Sequence, residues 1–444
     1  MSLTGIAFAL AFFAGLGMAF ARHPVYGLYT YVAVFYLHPP SRWWGASLPD
    51  LRWSLLAAAV TLIATMGLSR DESRAPWYST TPAKILIVFT VWVWLQSFWA
   101  LSPEQHRELA ILYTKYLLLF YLIYRLIETP EQLRTFLLVN LAGCAYLGWL
   151  GYSTPVSGRL EGVGGPGINE ANALAMQLGT AVMMGAMMVL SERKWRLWFA
   201  LGAMPFIVNT IVLAGSRGAF LAIVVGGAVL WYLKPWAHRR LFYGLAALGL
   251  VLVGMLAHET FWERMGTMKA GVNEAEQMDT SAESRIALVK AQWAMAKRYP
   301  LGTGHRGTEV LSPMYLDQKY MSRITNPSDT GRRSSHNTFM SALVEQGIPG
   351  AVLFIALWLW WVKAVFRIKK MSRSLSPSLG ALCAGVAAAF AVVLVAGLFV
   401  DYLKAEVQIW LLILLTCLLH FAQVEIAAPQ TSKELAPGPR SSVA

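Results

Sequence analysis

Apolar stretches of about 20 residues recur along most of the chain, and they limit its possible folds more than any other feature. They begin near Thr4, Tyr26, Trp53, Ile85, Leu109, Thr135, Ala171, Leu197, Gly218, Leu241, Ile348, Leu379 and Ala405. A helix needs roughly 20 apolar residues to cross the hydrocarbon core of a bilayer. Hydrophobic residues form 56% of the 444-residue chain and charged residues 14%, which excludes a disordered protein and an ordinary soluble enzyme. Because the second stretch is short, we predict an all-α polytopic membrane protein with about 12 transmembrane helices.

The connectors divide the chain into five predicted parts. Residues 1–150 hold N-terminal transmembrane helices, and residues 151–257 hold further transmembrane helices with Asn and Arg motifs on the outer face. Residues 258–336 form one long loop, polar and mixed in charge, predicted to contain short helices. Residues 337–426 return to the membrane, and residues 427–444 are rich enough in Pro, Gly and Ser to predict a disordered cytoplasmic tail.

Short basic connectors orient the predicted spans. The positive-inside rule places Arg193 to Arg196, Lys234 to Arg240 and Arg367 to Arg373 in the cytoplasm. Alternation then puts the long loop on the outer side. The first apolar stretch is expected to be a retained helix rather than a signal peptide. The side of the N-terminus stays open, because it depends on whether the second stretch crosses.

A second set of basic residues collects on the predicted outer side. It comprises Arg159, Arg217, Arg285, Lys290, His305, Arg306, Arg332, Arg333 and His336. Because outer arginines run against the positive-inside tendency, they suggest an anionic ligand such as a polyprenyl diphosphate, whose oxygens guanidinium groups bind in a two-pronged geometry. For any one arginine, the alternative is contact with lipid headgroups or loop carboxylates.

Arg217 is the sharpest candidate in this set. It stands between two long apolar stretches with almost no loop around it. A cation at that depth is costly unless it is paired, and is therefore usually functional. Gly215 and Gly218 permit close approach of a ligand, and a helix N-terminus favours an anion.

Two histidines are candidate general bases. Ser335 and Asn337 both suit a helix N-cap, so His336 is predicted in the first turn of a helix at the junction of loop and membrane. A neutral imidazole there can accept a proton from a sugar hydroxyl. A capping or hydrogen-bonding role is the alternative. His305, within a glycine-rich loop, is the rival base.

Other polar residues suggest further contacts. Residues 283–298 are predicted to form an amphipathic helix with Ile286, Val289 and Trp293 on one face and Arg285 directed inward from its first turn. Lys115 lies inside the fifth apolar stretch and can snorkel outward.

Three charged residues lie at the predicted outer junction of the last two spans. Asp401, Lys404 and Glu406 are predicted to form ion pairs with one another. The outer loops carry no Asp-x-Asp pair, and the chain has no P-loop and no serine-hydrolase or zinc-protease motif. We therefore predict no metal and no cofactor.

Several of these motifs resemble the O-antigen ligase and polymerase superfamily. They are GGPGINEANALA at 164–175 after Arg159, GSRGA at 215–219, SR at 284–285 with PLGTG at 300–304, and SHNTF at 335–339 with EQG at 345–347. Their order and spacing, from about residue 150 to 365, match the family pattern around one large periplasmic loop. The ligase branch is the most similar.

The resemblance implies a GT-C-like, metal-independent, inverting glycosyltransferase of the bacterial inner membrane with its active site facing the periplasm. It implies transfer of O-antigen glycan from undecaprenyl diphosphate to the lipid A–core oligosaccharide, which completes lipopolysaccharide. Membrane lipids are further expected partners, and nucleic acid is not.

By the family pattern, His336 is the general base, and Arg217 and Arg285 bind the diphosphate. Arg159, Asn169 and Asn172 contact glycan or phosphate, whereas Arg332 and Arg333 guide the anionic lipids. His305 and Lys115 complete the predicted substrate-binding set. The first two alternatives, an O-antigen polymerase and a protein O-oligosaccharyltransferase, have nearly the same motifs. A transporter of anionic lipid or polysaccharide would use the same arginines but needs no general base.

Overall fold

A computed structural model describes residues 2–69, 74–155, 158–192, 194–234, 239–256, 280–322 and 331–434. Over these ranges the chain forms 16 α-helices and no strand. In chain order they are α1 (Leu3–Ala21), α2 (Val25–Leu37), α3 (Trp53–Met66), α4 (Thr81–Gln96), α5 (Pro103–Leu126), α6 (Pro130–Ser153), α7 (Ala171–Ser191), α8 (Trp195–Ala214), α9 (Arg217–Leu233), α10 (Arg239–Leu256), α11 (Thr280–Arg298), α12 (Gly307–Tyr315), α13 (Thr338–Glu345), α14 (Gly347–Met371), α15 (Pro377–Ala396) and α16 (Glu406–Glu434).

Each predicted apolar stretch coincides with a helix, which confirms the all-α polytopic class. Among the described residues, eight helices are long and apolar enough to span a membrane: α1, α5, α6, α7, α8, α14, α15 and α16. The shorter apolar helices include α3, α4, α9 and most of α10, and α2 has only 13 residues. The count of about 12 crossings remains a prediction.

Consecutive helices reverse direction, so the connectors gather at two faces. The face that carries connectors 38–52, 158–170 and 397–405 is here called the near face. Arg42 Nη1 donates to the carbonyl oxygen of Val163 at 2.9 Å, and this contact joins the first two connectors. The Tyr402 hydroxyl donates to the carbonyl oxygen of Asn172, which joins the third connector to the start of α7.

The opposite face, here called the far face, carries connectors 22–24, 127–129, 192–194 and 372–376. On this face the Glu192 carboxylate forms ion pairs with Arg134 Nε at 3.3 Å and with Arg196 Nη1 at 3.5 Å. The N-terminus lies on the near face, because Ser2 Oγ donates to the carbonyl oxygen of Trp44. The short helix α2 therefore runs from the far face to the near face.

Helix α15 is the centre of the bundle. Its alanine-rich sequence leaves almost every residue buried between α7 and α9. Small residues at these contacts allow helix backbones to approach closely, as is typical of membrane bundles. A Cβ added at Gly385 would lie only 2.1 Å from the Met187 side chain of α7. Glycine at this position is therefore required by the packing.

The predicted long loop contains α11 and α12, whereas residues 257–279 and 323–330 lie outside the described residues. The helix predicted over 283–298 begins earlier, at Thr280. Its predicted apolar face is exposed, with Trp293 at 54%, and Leu288 and Met295 are buried instead against α12 and α13. The helix therefore has two apolar stripes, of which the prediction named only the exposed one.

Helix α16 continues past the predicted start of the tail at residue 427 and ends at Glu434. The tail therefore begins as a helical extension. Residues 435–444 lie outside the described residues.

Candidate functional site

A polar cavity of about 410 Å³ opens on the near face. It lies between the connector before α7, the start of α12, the segment before α13, and the connector between α15 and α16. Its lining comprises Gly167, Asn169, Glu170, Ala173, His305, Arg306, Glu309, Ser334, Ser335, His336, Glu345, Val400, Asp401 and Lys404. Of the predicted site residues, this cavity brings together His336, His305 and Asn169.

His336 lies immediately before the N-cap of α13, and the prediction that it stands in the first helical turn was wrong. Asn337 is the cap, since its Oδ1 accepts hydrogen bonds from the backbone N–H of Phe339 and Met340 at 2.9 and 3.0 Å. Its Nδ2 also donates to the carbonyl oxygen of Leu398 on the neighbouring connector. The cap therefore fixes the backbone next to His336.

Burial, together with the positive charges of Arg333 and Arg285, lowers the pKa of His336 to about 4. Its imidazole is therefore neutral near pH 7 and can accept a hydrogen bond or a proton. The same two guanidinium groups give this part of the cavity a positive potential.

Arg333 is held between two helices of the predicted loop. Its backbone N–H donates to Ser312 Oγ at 2.9 Å, and its Nη2 donates to Ser284 Oγ at 3.2 Å. Burial lowers the pKa of this guanidinium from its ordinary value. Arg333 thus has a defined place near His336, whereas Arg332 is exposed at the surface.

His305 forms a buried pair with Glu345, the last residue of α13. Their Nδ1 and Oε2 atoms are 2.9 Å apart, and the two residues are 6% and 3% exposed. The loop before His305 follows left-handed backbone at Gly302 and Gly304, with φ of +87° and +78°. At Gly304 a Cβ would also lie 2.5 Å from the side chain of Ala100. The two glycines allow this turn to pack against α13.

Asp401 does not form the predicted ion pair with Lys404 or Glu406. Its carboxylate accepts hydrogen bonds from Ser341 Oγ at 2.7 Å and from the backbone N–H of Leu403 at 3.0 Å. Burial, with the negative charge of Glu345, raises the pKa of Asp401 to about 6. Glu406 instead accepts hydrogen bonds from the Tyr31 hydroxyl and from the indole N–H of Trp410.

Arg159, Asn172 and Arg217 lie around the turn between α8 and α9. Arg159 Nε donates to the carbonyl oxygen of Ala214 at 3.0 Å, and its Nη2 donates to Asn172 Oδ1 at 2.7 Å. Arg217 is the first residue of α9, after the cap Ser216. The Tyr402 hydroxyl connects this group to the connector that also carries Asp401. These three residues are therefore neighbours, although they do not line the cavity around His336.

Lys115 lies apart from the other predicted residues. It is exposed in α5 and lines a different near-face cavity of about 460 Å³, together with Arg52 and Glu406. Of the nine predicted substrate-binding residues, Asn169 and His305 thus line the first cavity, Lys115 lines the second, and the other six line neither.

Sequence reasoning missed all four carboxylates of the first cavity as site residues. These are Glu170, Glu309, Glu345 and Asp401. A signal existed at Glu345, because an unpaired carboxylate inside an apolar helix is costly and requires a partner. Among the described residues, no group of three or more His, Cys, Asp or Glu side chains is arranged to hold a metal ion.

Residues 202–355 match the family model described as O-antigen ligase. The match covers about a third of the chain, from α8 to the first half of α14. It includes Arg217, Arg285, His305, Arg333 and His336. No curated protein matches the chain.

Proposed function

This match supports membership of the chain in the O-antigen ligase family, and from that premise we propose that the protein is an O-antigen ligase. It is a membrane protein in a family of glycosyltransferase-like membrane enzymes. In this proposal it transfers O-antigen glycan from undecaprenyl diphosphate to the lipid A–core oligosaccharide and so completes lipopolysaccharide. The observation that carries the proposal is a neutral, half-buried imidazole at His336 beside two arginines in a polar near-face cavity.

The proposed reaction is a direct displacement at the anomeric carbon of the donor. The acceptor hydroxyl oxygen forms the new glycosidic bond, while the bond from the same carbon to the diphosphate oxygen breaks. His336 takes the hydroxyl proton, and the electron pair leaves with the diphosphate. Attack from the face opposite the leaving group inverts the anomeric centre. General-base assistance of this kind typically contributes about 10²–10⁴-fold in rate.

The arginines stabilise the leaving diphosphate in this mechanism. Arg285 acts near His336, where its charge already affects the imidazole. Arg217 lies at the N-terminus of α9, where backbone N–H groups favour an anion. Preorganised cations of this type typically supply several kcal/mol of transition-state stabilisation. Arg159, Asn172 and Asn169 contact glycan or phosphate, and Arg332, Arg333 and Lys115 guide the anionic lipids.

We assign the near face to the periplasm of a bacterial cell with the protein in the inner membrane. The far face carries the basic connectors, including Arg196 and Lys369, and the positive-inside rule places such connectors in the cytoplasm. The glycan donor would then reach the cavity from the periplasmic side.

The test is ligation by purified protein supplied with undecaprenyl-diphosphate O-antigen and lipid A–core in the presence of EDTA. We expect glycan-bearing lipopolysaccharide from the wild type and at least a hundredfold less from His336→Ala. A large loss with EDTA that a divalent ion restores would contradict the metal-independent mechanism.

The products also distinguish the related activities. Elongation of the lipid-linked glycan without transfer to lipid A–core would indicate a polymerase, and glycan on an added Ser/Thr peptide would indicate a protein O-oligosaccharyltransferase. Full activity of His336→Ala would remove the proposed base.

A further inference from the structure

The pair formed by His305 and Glu345 has no role in the displacement described above. It lines the same cavity as His336, yet its charged neighbours differ. Positive charges of Arg333 and Arg285 act on His336, whereas Asp401 and Glu345 interact electrostatically with each other and with His305. His336 is therefore influenced by two arginines that do not themselves line the cavity, whereas His305 interacts with carboxylates of the lining.

A hydrogen bond to Glu345 occupies one of the two ring nitrogens of His305. The Glu345 carboxylate lies 2.9 Å from Nδ1 and accepts its proton, so in the neutral ring Nε2 carries the lone pair. Within the described part of the chain, Nε2 has no hydrogen-bond partner. The residue is more than nine-tenths buried and lines the cavity. In a polar cavity such an acceptor takes a hydrogen bond from a ligand or from water.

The backbone around this histidine is equally constrained. The His305 N–H donates to Nδ1 of His106 at 3.0 Å, and Nε2 of His106 donates to the carbonyl oxygen of Val93 at 2.7 Å. The N–H of Gly304 donates to the carbonyl oxygen of Glu345 at 2.9 Å. The ring is therefore held from its backbone and from its Nδ1, which preorganises Nε2 for one direction of approach.

The chemistry of this part of the cavity selects the class of ligand. Glu345, Asp401 and Glu170 present carboxylates, which accept hydrogen bonds from hydroxyl groups and repel phosphate. Arg306 also lines the cavity, but its Nε is 3.8 Å from a carboxylate oxygen of Glu309. Lys404 is the remaining cation of the lining, and it is exposed. A sugar hydroxyl fits this environment better than a phosphate or a uronic acid.

We propose that His305, oriented by Glu345, binds a hydroxyl group of the acceptor sugar and selects an acceptor that carries no negative charge at this position. The inference rests on the proposed ligase function. His305 Nε2 accepts a hydrogen bond from a hydroxyl adjacent to the one that attacks the donor. Glu345 is a positioning residue, because it acts through the imidazole.

The first experiment separates the kinetic effects of the two histidines. With saturating donor, we expect His305→Ala to raise the KM for lipid A–core about tenfold, as loss of one hydrogen bond to a polarised group implies. The kcat value and the KM for donor stay within about threefold, whereas His336→Ala loses kcat. Glu345→Gln keeps the side-chain volume and is expected to raise the acceptor KM without a loss of donor affinity. An unchanged acceptor KM in both variants would overturn the proposal.

A matched control is available on the same face. His38 is a half-buried histidine whose Nδ1 forms a hydrogen bond with Ser41 Oγ at 2.7 Å. It lines the cavity of Lys115 rather than that of His305, so His38→Ala should leave the acceptor KM unchanged. A purely structural role of the 305–345 pair predicts that His305→Ala lowers thermal stability and kcat together. In that case the specific change in acceptor KM is absent.

The second experiment uses lipid A–core analogues that lack one hydroxyl of the acceptor sugar at a time, and one analogue that is oxidised to a carboxylate. For one deoxy analogue we expect the wild type to lose about tenfold in kcat/KM and His305→Ala to lose nothing further. Equal losses in both proteins for every analogue would overturn the proposal. So would a wild type that uses the carboxylate analogue as well as the parent.

Failure of the ligase proposal is recognised separately. If the wild type forms no product, binding of lipid A–core to the detergent-solubilised protein is measured without donor. Tenfold weaker binding by folded His305→Ala than by the wild type would support the acceptor site even though the transfer assay failed. Equal binding would overturn it.

Discussion

His336 and His305 line one cavity, but their neighbours prepare them for different tasks. The imidazole of His336 has two guanidinium groups nearby and a pKa lowered to about 4, so a proton on it is destabilised. His305 has a carboxylate 2.9 Å from Nδ1, so its ring is fixed in orientation. In the proposed mechanism the donor diphosphate binds near Arg285, so its negative charge would offset the repulsion and raise the pKa of His336. The base then becomes stronger only when the donor is bound.

A substitution that removes the positive charge of Arg333 tests this coupling. Since Arg333 repels a proton from His336, Arg333→Gln should raise the pKa of His336 toward its ordinary value. The base must be neutral to work, so activity is lost as the pH falls through that pKa. We therefore expect the acid limb of kcat/KM, near pH 4 in the wild type, to move upward by about one pH unit.

Arg333→Lys is the matched control, because it keeps the positive charge and should leave the acid limb near its wild-type position. Arg306→Gln removes a charge from the same cavity lining without removing one of the two that act on His336. An acid limb that is identical in Arg333→Gln and the wild type would show that the limb does not report His336.

At the scale of helices, the cap of α13 decides where His336 stands. Ser335 and Asn337 are both good N-cap residues, and the predicted first-turn position of His336 requires the earlier one, Ser335, as the cap. The hydroxyl of Ser335 instead accepts a hydrogen bond from Nε2 of Gln292, a residue of α11, at 2.9 Å. This tertiary contact leaves Asn337 as the cap and places His336 before the helix. Such a choice depends on a residue more than 40 positions away and could not be predicted locally.

Replacing Asn337 tests the cap. Asn337→Ala removes the acceptor of two backbone N–H groups, for which a loss of roughly 0.5–2 kcal/mol in the free energy of unfolding is typical. We also expect kcat to fall, because the backbone next to His336 loses its anchor. Asn337→Asp keeps the acceptor and loses only the donor to Leu398, so it should retain most of the stability. Thermal unfolding in detergent and the ligation rate measure the two effects. Equal thermal stability of Asn337→Ala and Asn337→Asp would contradict the capping role.

Helix α11 shows another limit of prediction from sequence. Its helical periodicity was evident, but the chain carries two apolar stripes, of which Leu288 and Met295 belong to the buried one. In a protein that contacts lipid, an exposed apolar stripe is as compatible with the environment as a buried one. The location of the helix could therefore be predicted, whereas its buried face could not.

At the scale of the whole molecule, the apolar stretches were the reliable signal. Lipid offers no hydrogen bonds to the backbone, so a segment of that length and composition has almost no alternative to a helix. The contacts that build the site have no such constraint. Glu345 meets His305 across 40 residues, and Asp401 meets Ser341 across 60. These pairs follow from the packing of the bundle, which the order of residues alone does not reveal.

The direction of α2 determines the sidedness of the N-terminus and can be tested by cysteine labelling. The three native cysteines are fully buried, so a membrane-impermeant maleimide should not react with them. Arg22 and Ala46 are exposed on the connectors at either end of α2, and Ser374 is exposed on a far-face connector. In cells with a permeabilised outer membrane, we expect Ala46→Cys to react, because the near face is assigned to the periplasm.

Arg22→Cys and Ser374→Cys should react only after the inner membrane is disrupted, since both lie on the far face. The 13 residues of α2 span only about 20 Å as a helix, which is less than the thickness of the hydrocarbon core. A crossing by α2 therefore requires either local thinning of the bilayer or neighbouring helices that shield its ends from lipid. Packing of α2 against α1, α3 and α6 provides that protection. Reaction of Arg22→Cys at the rate of Ala46→Cys before the inner membrane is disrupted would show that α2 does not cross. Reaction of Arg22→Cys and Ser374→Cys, but not of Ala46→Cys, would instead place the cavity and its two histidines in the cytoplasm, where a periplasmic ligase cannot work.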